Sequence, residues 1–366
     1  MTRARSILLN PGPVTLSERV RSALTDGDWC HREPEFAELT RTINGSLVRV
    51  YPGMQADFDA VMLTGSGTAA VEAMLATFAP DDARTLVLAN GVYGERMARM
   101  LDVHRKPCEI AAHAWTEVLD LDALVAALDR HADVTHIAVV HHETTTGRLN
   151  DLDAIGAICR ERGLRILLDG VSSFGAEAID AAGWELDAVA ATANKCLHGV
   201  PGLSFVLARK SAWRAPQGKP GSVYLDLRAY HTGQHAEGYS PFTQAVQVAF
   251  ALREALAELA EQGGWEARRE AYRVRAARVH LELAGQGVST LLSPADYSSV
   301  LWSYLLPPGV AYQQFHDALK ESGFVIYAGQ GELAPSVFRL AYMGNIQDDD
   351  LDALCDALRT ILKGLV

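Results

Sequence analysis

Between about residues 60 and 210, short apolar runs alternate with longer stretches whose apolar residues recur at helical spacing. Such an alternation is typical of a largely parallel sheet covered by helices. The predicted strands span residues 61–64, 85–89, 135–141, 165–169, 188–192 and 203–208. The predicted helices between them span residues 68–78, 94–104 and 151–162. This part of the chain is therefore expected to be an α/β unit.

The chain beyond residue 210 predicts a second, smaller unit. A polar stretch rich in Gly, His and Tyr fills residues 216–242, and an Ala-, Leu- and Glu-rich stretch predicts one long helix over residues 243–284. The elements predicted after it are strands at 300–305, 324–327 and 336–342 and helices at 312–321 and 348–362. We expect a large domain of residues 15–255 and a small α+β domain of residues 256–366, which also includes residues 1–14.

Composition and charge exclude several classes of protein. With 49% apolar residues in a chain of 366, the sequence can form a sizeable core, so a disordered or fibrous protein is excluded. The net charge of −12 makes a nucleic-acid partner unexpected. No apolar run reaches the roughly 20 residues of a membrane helix, and residues 1–9 lack the apolar core of a signal peptide. We therefore expect a cytoplasmic protein without a membrane partner. The five scattered cysteines form no CxxC pair, and no metal site is expected.

The first candidate site is a glycine-containing turn between a predicted strand and a predicted helix. Ligands of an open α/β sheet collect beyond the carboxyl ends of its strands, where residues 64–68 read Thr-Gly-Ser-Gly-Thr. The backbone N–H groups of such a turn can hold one phosphate, although a plain tight turn explains the residues equally well. The run lacks the Gly-Lys-Ser/Thr of a P-loop, so a bound triphosphate is not expected.

Asp169 and Lys195 end two further predicted strands. A buried carboxylate is costly unless a positive or proton-donating partner meets it, although a turn or N-cap aspartate is the plainer interpretation. Most lysines are surface charges, but an amine of lowered pKa beside an apolar pocket can form a Schiff base with a carbonyl. A phosphate cradle, a carboxylate and such an amine are together the three anchors that pyridoxal phosphate requires.

The segments that carry these residues resemble, in the same order, those of the class V, fold-type I aminotransferases. The matching segments are residues 8–13, 65–67, 90–97, 142–147, 169–175, 194–196, 199–202, 323–327 and 338–339. Two of them, His-Glu-Thr-Thr-Thr-Gly at 142–147 and Gly-Val-Pro-Gly at 199–202, are similar to the branch that transfers the amine of 2-aminoethylphosphonate to pyruvate. The resemblance implies an α/β fold in which a large cofactor-binding domain with a mostly parallel mixed sheet joins a smaller C-terminal α+β domain.

The resemblance also implies which residues hold the cofactor. Lys195 would bond to the aldehyde carbon of pyridoxal phosphate and shuttle a proton, and Asp169 would keep the ring nitrogen protonated. Thr243, or alternatively Tyr239, would reach the phosphate held by a partner subunit. The other implied contacts are Ser66, Gly67 and Thr68 on the phosphate, Tyr93 stacked on the ring, Thr144 near its hydroxyl, Val171 on the opposite face and Asn194 near the phosphate.

Substrate and partners follow from the same resemblance. Arg339 would clamp the acidic group of the substrate, and Pro11 and Gly12 would lie over the site. The expected small-molecule partners are an amino donor and a 2-oxo acid acceptor. A homodimer whose active site is shared across the interface is also implied.

Departures from the family pattern leave other functions open. Residues 31–36 are more similar to the alanine–glyoxylate and serine–pyruvate aminotransferases, and Gln330 stands where a lysine is expected, which removes a positive charge. A lyase or desulfurase of the same fold would need a reactive cysteine, for which Cys30 is the candidate. A binding protein that kept the fold without catalysis is a further alternative.

Overall fold

The structure is a computed structural model that describes residues 6–215 and 220–365 of the 366-residue chain. The helices in those residues are α1 (Glu18–Ser22), α2 (Pro34–Arg49), α3 (Gly67–Phe78), α4 (Val92–Val103), α5 (Leu121–Arg130), α6 (Leu152–Arg162), α7 (Lys210–Arg214), α8 (Leu227–Ala236), α9 (Val246–Glu261), α10 (Gly264–Gly285), α11 (Tyr312–Glu321) and α12 (Asp348–Leu365). The strands are β1 (Ile7–Leu8), β2 (Phe58–Thr64), β3 (Arg84–Ala89), β4 (Cys108–Ala112), β5 (Val134–Val140), β6 (His142–Glu143), β7 (Arg148–Leu149), β8 (Arg165–Asp169), β9 (Leu186–Thr192), β10 (Leu203–Arg209), β11 (Leu301–Leu305), β12 (Phe324–Val325), β13 (Tyr327–Ala328) and β14 (Val337–Ala341).

A seven-stranded sheet in the order β2-β10-β9-β8-β5-β3-β4 forms the centre of the large unit. Strand β10 runs antiparallel to both of its neighbours, and the other strand pairs are parallel, so the predicted mixed, mostly parallel sheet is confirmed. All six predicted strands of this region are present. The edge strand β4 was not predicted, because three of its five residues are only half-buried and two are exposed, which leaves no clear apolar pattern.

Two predicted elements of the second unit are wrong in their bounds. The single helix predicted over 243–284 is two helices, since Gly263 and Gly264 adopt φ of +97° and +79° between α9 and α10. The single strand predicted over 324–327 is also two: β12 pairs with β1, and β13 pairs with β14. Helix α8 forms inside the predicted polar stretch, of which residues 216–219 lie outside the described part of the chain.

Apolar side chains form two separate cores. The large core lies on both faces of the seven-stranded sheet, because successive strand residues point to opposite faces. The small core joins α10, α11, α12 and the three-stranded sheet β11-β14-β13 with three residues near the N-terminus: Ile7, Leu9 and Val14. The predicted domain boundary at residue 255 falls inside α9, whose residues 246–259 pack in the large core. The division into residues 15–255 and 256–366 remains a prediction.

Three buried polar side chains connect the large core to residues beside the small core, and we call them the seam: His142, Glu177 and His198. Glu177 accepts hydrogen bonds from the backbone N–H and the hydroxyl of Ser299, at 2.6 and 2.8 Å, and its second oxygen lies 3.0 Å from Arg269. The two hydrogen bonds between Glu177 and Ser299 link residues that are 122 positions apart in the chain.

The two histidines of the seam also form hydrogen bonds to residues of distant segments. His142 Nδ1 donates to the carbonyl of Ser172 at 3.0 Å, and its Nε2 accepts from the Ser298 hydroxyl at 2.8 Å. His198 Nε2 accepts from the backbone N–H of Gly344 at 2.8 Å. Burial lowers the pKa of His142 to about 3, so this imidazole is neutral near pH 7. Across the described ranges, no helix has the length and apolar character required to span a membrane.

Candidate active site

The predicted phosphate cradle lies at the start of α3. Ser66 caps this helix by accepting a hydrogen bond from the backbone N–H of Ala69 at 3.4 Å. A side chain at Gly67 would place its Cβ only 2.8 Å from Val171 Cγ1, so the first turn of α3 packs directly on the loop after β8. Ser66 and Thr68 are exposed beside this contact. The helix therefore presents its N-terminal N–H groups, an electropositive end, at the carboxyl edge of the sheet.

Asp169 is the last residue of β8 and is 6% exposed. One of its carboxylate oxygens accepts a hydrogen bond from the backbone N–H of Val171 at 2.9 Å. Burial raises the pKa of Asp169 to about 6, and the hydrogen bond and the positive charge of Lys195 limit the rise. A cationic or proton-donating ligand would restore the charged form, as the sequence predicts for a pyridine nitrogen.

Lys195 follows β9 and is half-buried beside the N-terminal segment. Its Nζ donates to the Ser172 hydroxyl at 3.2 Å, and its methylene stem lies against Gly12. A Cβ on Gly12 would come within 3.0 Å of Lys195 Cδ, and Gly12 has φ of +113°, so both space and backbone conformation favour glycine there. Burial lowers the pKa of Lys195 to about 8, and the charges of Arg339 and Arg96 add to this effect. About a tenth of the amine is then unprotonated at pH 7 and available as a nucleophile.

A small cavity brings four of the predicted residues together. It is lined by Thr68, Tyr93, Arg96, Asp169 and Val171, with Val71, Met97 and Met100 behind them. The guanidinium carbon of Arg96 lies 4.7 Å from the centroid of the Tyr93 ring. Helices α3 and α4 and strand β8 with the turn after it thus bring their predicted residues to one place.

Thr144 lies on the opposite side of this site, in the loop that links β6 to β7. Its carbonyl accepts a hydrogen bond from Arg339 Nη1 at 2.7 Å. Its hydroxyl is buried and has no hydrogen-bond partner among the described residues. A buried hydroxyl without a partner is costly, so this hydroxyl is suited to hydrogen-bond an oxygen of a bound group.

Arg339 lies on β14 and is 1% exposed. Besides Thr144, its guanidinium donates to the carbonyl of Ala328 at 2.8 Å and to Oε1 of Gln330 at 3.3 Å. These acceptors are neutral, and within residues 6–215 and 220–365 no carboxylate forms an ion pair with it. Burial lowers the pKa of Arg339 below its ordinary value. A buried guanidinium held only by neutral acceptors can bind an anion such as a carboxylate or phosphonate.

Three predicted residues lie at the margin of this site. Asn194 accepts a hydrogen bond from the Thr192 hydroxyl at 2.8 Å, and Pro11 is buried beside Gly12. Thr243 is exposed, and the following Ala245 donates its backbone N–H to Thr64 Oγ1 at 2.9 Å. The Thr243 segment therefore lies near the cradle of its own chain, and its contact with a partner subunit remains a prediction.

The sequence prediction missed Ser172 and Arg96, and it gave no role to Glu143. Ser172 lies three positions after Asp169 in the same turn, and this closeness to a predicted site residue could have marked it as a candidate. Arg96 follows Tyr93 by three positions in a helix and so lies on the same face. Glu143 is fully buried and contacts residues about 50 positions away, which no local pattern reveals.

The two neighbouring histidines after β5, His141 and His142, make different contacts. His141 packs edge-on against Trp184, while His142 belongs to the seam. A cluster whose spacing could suit a metal ion lies elsewhere and consists of Asp59, His231 and His235. His231 hydrogen-bonds Asp59 at 3.0 Å and His235 hydrogen-bonds the carbonyl of Ala60 at 3.1 Å, so protein contacts account for these groups. The absence of a metal remains a prediction.

Comparisons with known proteins match this geometry. The sequence profile described as aminotransferase class-V matches residues 53–347. The 2-aminoethylphosphonate–pyruvate transaminases of Burkholderia thailandensis and Phocaeicola vulgatus are 37% and 34% identical over 361 residues, which cover 98% of this chain and 97% and 99% of those proteins. The crystal structure of alanine–glyoxylate aminotransferase from Nostoc sp. has a TM-score of 0.90 at 28% identity, covering 99% of this chain and 96% of that one.

These matches confirm the fold that the resemblance implied, whereas the roles of individual site residues remain predictions. A family profile that extends over most of the chain and relatives above one-third identity over nearly all of it agree with each other. The chain belongs to the class-V aminotransferases.

Proposed function

We propose that this aminotransferase uses pyridoxal phosphate to transfer the amine of 2-aminoethylphosphonate to pyruvate, which yields phosphonoacetaldehyde and alanine. The observation that carries the proposal is the near full-length identity of 34–37% to transaminases of that name. The site geometry supports it, because the amine of Lys195 lies close enough to the buried Asp169 and the buried Arg339 for their charges to act on its pKa.

The residues present fit the cofactor that the family implies. The N-terminus of α3 would hold its phosphate, and Asp169 would face its ring nitrogen. The unpartnered Thr144 hydroxyl would meet an oxygen of the ring, and Tyr93 would cover one face. When bound, the cofactor withdraws electrons from the bond that is broken at the substrate.

The chain's own residues supply positioning and proton transfer. Lys195 Nζ, whose pKa is about 8, can accept a proton and return it near neutral pH. The Asp169 carboxylate would hold a proton on the ring nitrogen, where electrons accumulate during the reaction. Arg339 would bind the carboxylate of pyruvate or the phosphonate of the donor through two N–H groups. Gly12, pressed against the lysine stem, would limit the positions that the amine can reach.

A homodimer is part of the proposal. Thr243, with Tyr239 as the alternative, would complete the phosphate site of the partner subunit. A cytoplasmic location also remains a proposal from the sequence. Size-exclusion chromatography with light scattering would test the dimer, and a monomer that retains full activity would contradict the shared site.

Replacing the proposed nucleophile tests the cofactor chemistry. Wild-type protein with added pyridoxal phosphate should turn yellow and form alanine from 2-aminoethylphosphonate and pyruvate. Lys195→Ala should lose both properties, because no other amine takes its place. Lys320→Ala, which removes an exposed lysine at the end of α11, is the matched control and should behave like the wild type. A colourless wild type would exclude the proposed cofactor.

Alanine–glyoxylate or serine–pyruvate transamination is the second candidate function. The observation that favours it is Gln330, a neutral amide 3.3 Å from Arg339 Nη1. A phosphonate carries more negative charge than a carboxylate and gains more from a second cation beside the arginine. Coupled assays of both donor–acceptor pairs would separate the candidates. Turnover of alanine with glyoxylate but not of the aminophosphonate would select the second one.

A further inference from the structure

We propose that Glu143 is a positioning residue, which together with Thr145 caps α4 from a distant loop and thereby fixes Tyr93 against the cofactor. The proposal rests on the proposed function, since it requires pyridoxal phosphate at this site. Glu143 is 0% exposed and lies in the short strand β6.

Helix α4 has no cap of its own. Its N-cap residue is Gly91, which carries no side chain to accept the first N–H groups of the helix. A Cβ at Gly91 would lie 2.3 Å from Cδ of Glu143. Glycine at this position therefore leaves the space through which the carboxyl group of Glu143 reaches the helix.

The loop after β5 supplies the missing acceptors. Glu143 Oε2 accepts from the backbone N–H groups of Tyr93 and Gly94, at 3.2 and 3.4 Å. Thr145 Oγ1 accepts from the backbone N–H of Val92 at 3.1 Å. The first three N–H groups of α4 are thus satisfied by side chains about 50 positions away. Burial raises the pKa of Glu143 to about 7, and the hydrogen bonds from Thr145 and Gly94 limit the rise.

The two capping side chains also hold each other. Both the backbone N–H and the hydroxyl of Thr145 donate to Glu143 Oε1, at 3.1 and 2.6 Å. Between them in the sequence lies Thr144, whose carbonyl accepts a hydrogen bond from Arg339 and whose hydroxyl has no partner in the part of the chain that the structure describes. One short loop therefore sets the position of α4 on one side and of the substrate arginine on the other.

The capped end of α4 carries residues of the site. Tyr93 is the second residue of the helix, and it lines the same cavity as Asp169. Its backbone N–H is one of those bonded to Glu143, so a shift of that bond moves the ring directly. A cap that served only the helix could come from position 91. A cap from position 143 ties the ring to the loop that faces the cofactor.

A double-mutant cycle tests whether Glu143 acts through Tyr93. Glu143→Gln replaces one acceptor oxygen with an amide that faces N–H donors. In the full chain we expect the Kd for added pyridoxal phosphate to rise about tenfold, the size expected for the loss of a helix cap. The visible circular dichroism of the bound cofactor should fall, because the ring beside it is no longer fixed. In the Tyr93→Ala background, Glu143→Gln should change the Kd less than twofold.

Glu95→Gln is the matched control. Glu95 lies in the same first turn of α4, but it is exposed and bonds the Trp115 indole through an oxygen that glutamine retains. It should leave the Kd and the visible spectrum unchanged. Far-UV circular dichroism checks that each variant folds. If Glu143→Gln does not fold, Thr145→Val, which keeps the carboxylate and removes one acceptor, should show the same coupling to Tyr93.

Two results would overturn the inference. A folded Glu143→Gln protein with the wild-type Kd and spectrum would show that the ring is held without the carboxylate. Equal effects of Glu143→Gln in the presence and absence of the Tyr93 side chain would show a general structural role. A wild type that binds no pyridoxal phosphate would instead refute the proposed function and this inference together, so the two failures are distinguishable.

Discussion

The seam and the candidate active site both bury polar side chains at the junction of the two cores, but they satisfy them differently. In the seam, His142 is hydrogen-bonded through both ring nitrogens, and Glu177 pairs one oxygen with Ser299 by hydrogen bonds and the other with the charge of Arg269. In the site, as far as residues 6–215 and 220–365 show, the Thr144 hydroxyl has no partner, and Arg339 is held by neutral acceptors alone. Paired groups join the two units, whereas groups left without their natural partners are prepared for a ligand, at a cost in stability.

Substitution of Arg339 should have the largest effect on activity and should leave the hydrogen bonds of the seam unchanged. Arg339→Ala is expected to lower kcat/KM for pyruvate about a hundredfold or more, because it removes a desolvated partner of the substrate anion. Steady-state kinetics at fixed amino donor would measure the change. Arg99→Ala, which removes an exposed arginine of α4, is the control. An unchanged kcat/KM would place the anion elsewhere.

Substitution of Glu177 should instead lower stability and leave cofactor binding unchanged. Glu177→Ala leaves Arg269 and two donors of Ser299 without their acceptor, and the free energy of unfolding is expected to fall by ~3 kcal/mol. Urea denaturation would measure it, with exposed Glu321→Ala as the control. Any folded Glu177→Ala protein should keep the wild-type Kd for pyridoxal phosphate. A higher Kd for pyridoxal phosphate with an unchanged free energy of unfolding would show that Glu177 serves the site and not the seam.

The buried carboxylate of Asp169 should lower the free energy of unfolding of the cofactor-free protein. Burial raises the pKa of Asp169 to about 6 from 3.8, so the folded state holds the proton more tightly than the unfolded state does. The stability that this group contributes is therefore present below about pH 4 and is lost as the pH rises through about 6.

Asp169→Asn stays neutral and avoids that loss. At pH 8 the free energy of unfolding should rise by ~3 kcal/mol, with a smaller gain at pH 5. Urea denaturation without cofactor would measure both, and Asp82→Asn, at an exposed position, should show no such difference. The same variant should lose turnover. A destabilised Asp169→Asn protein would mean that the carboxylate is already satisfied within the chain.

Local patterns predicted the sheet and three anchors of the site, namely the turn at residues 64–68, Asp169 and Lys195, because all of them depend on short-range order. Buried strands such as β8 are continuous apolar runs, and Asp169 stands at the end of that run. Lys195 was likewise marked by its position after a strand. The resemblance to a known family supplied the remaining site residues, including Arg339.

What the patterns missed depends on contacts between distant parts of the chain. The capping of α4 by Glu143 joins positions 50 residues apart, and the only local trace is a helix that begins with glycine. Ser172 meets Lys195 across 23 positions. The break between α9 and α10 does have a local signal, the adjacent Gly263 and Gly264. The sequence alone does not show that both glycines adopt positive φ.

The pairing of β1 with β12 has a consequence for the order in which the enzyme assembles. Ile7 and Leu8 pair with Phe324 and Val325, while Gly12, a few residues after β1, covers the stem of Lys195. More than 300 residues must therefore leave the ribosome before the first strand meets its neighbour. The large core can form earlier, because its strands all precede residue 210. Until Phe324 and Val325 have been made, the segment that places Gly12 against Lys195 therefore lacks its partner strand.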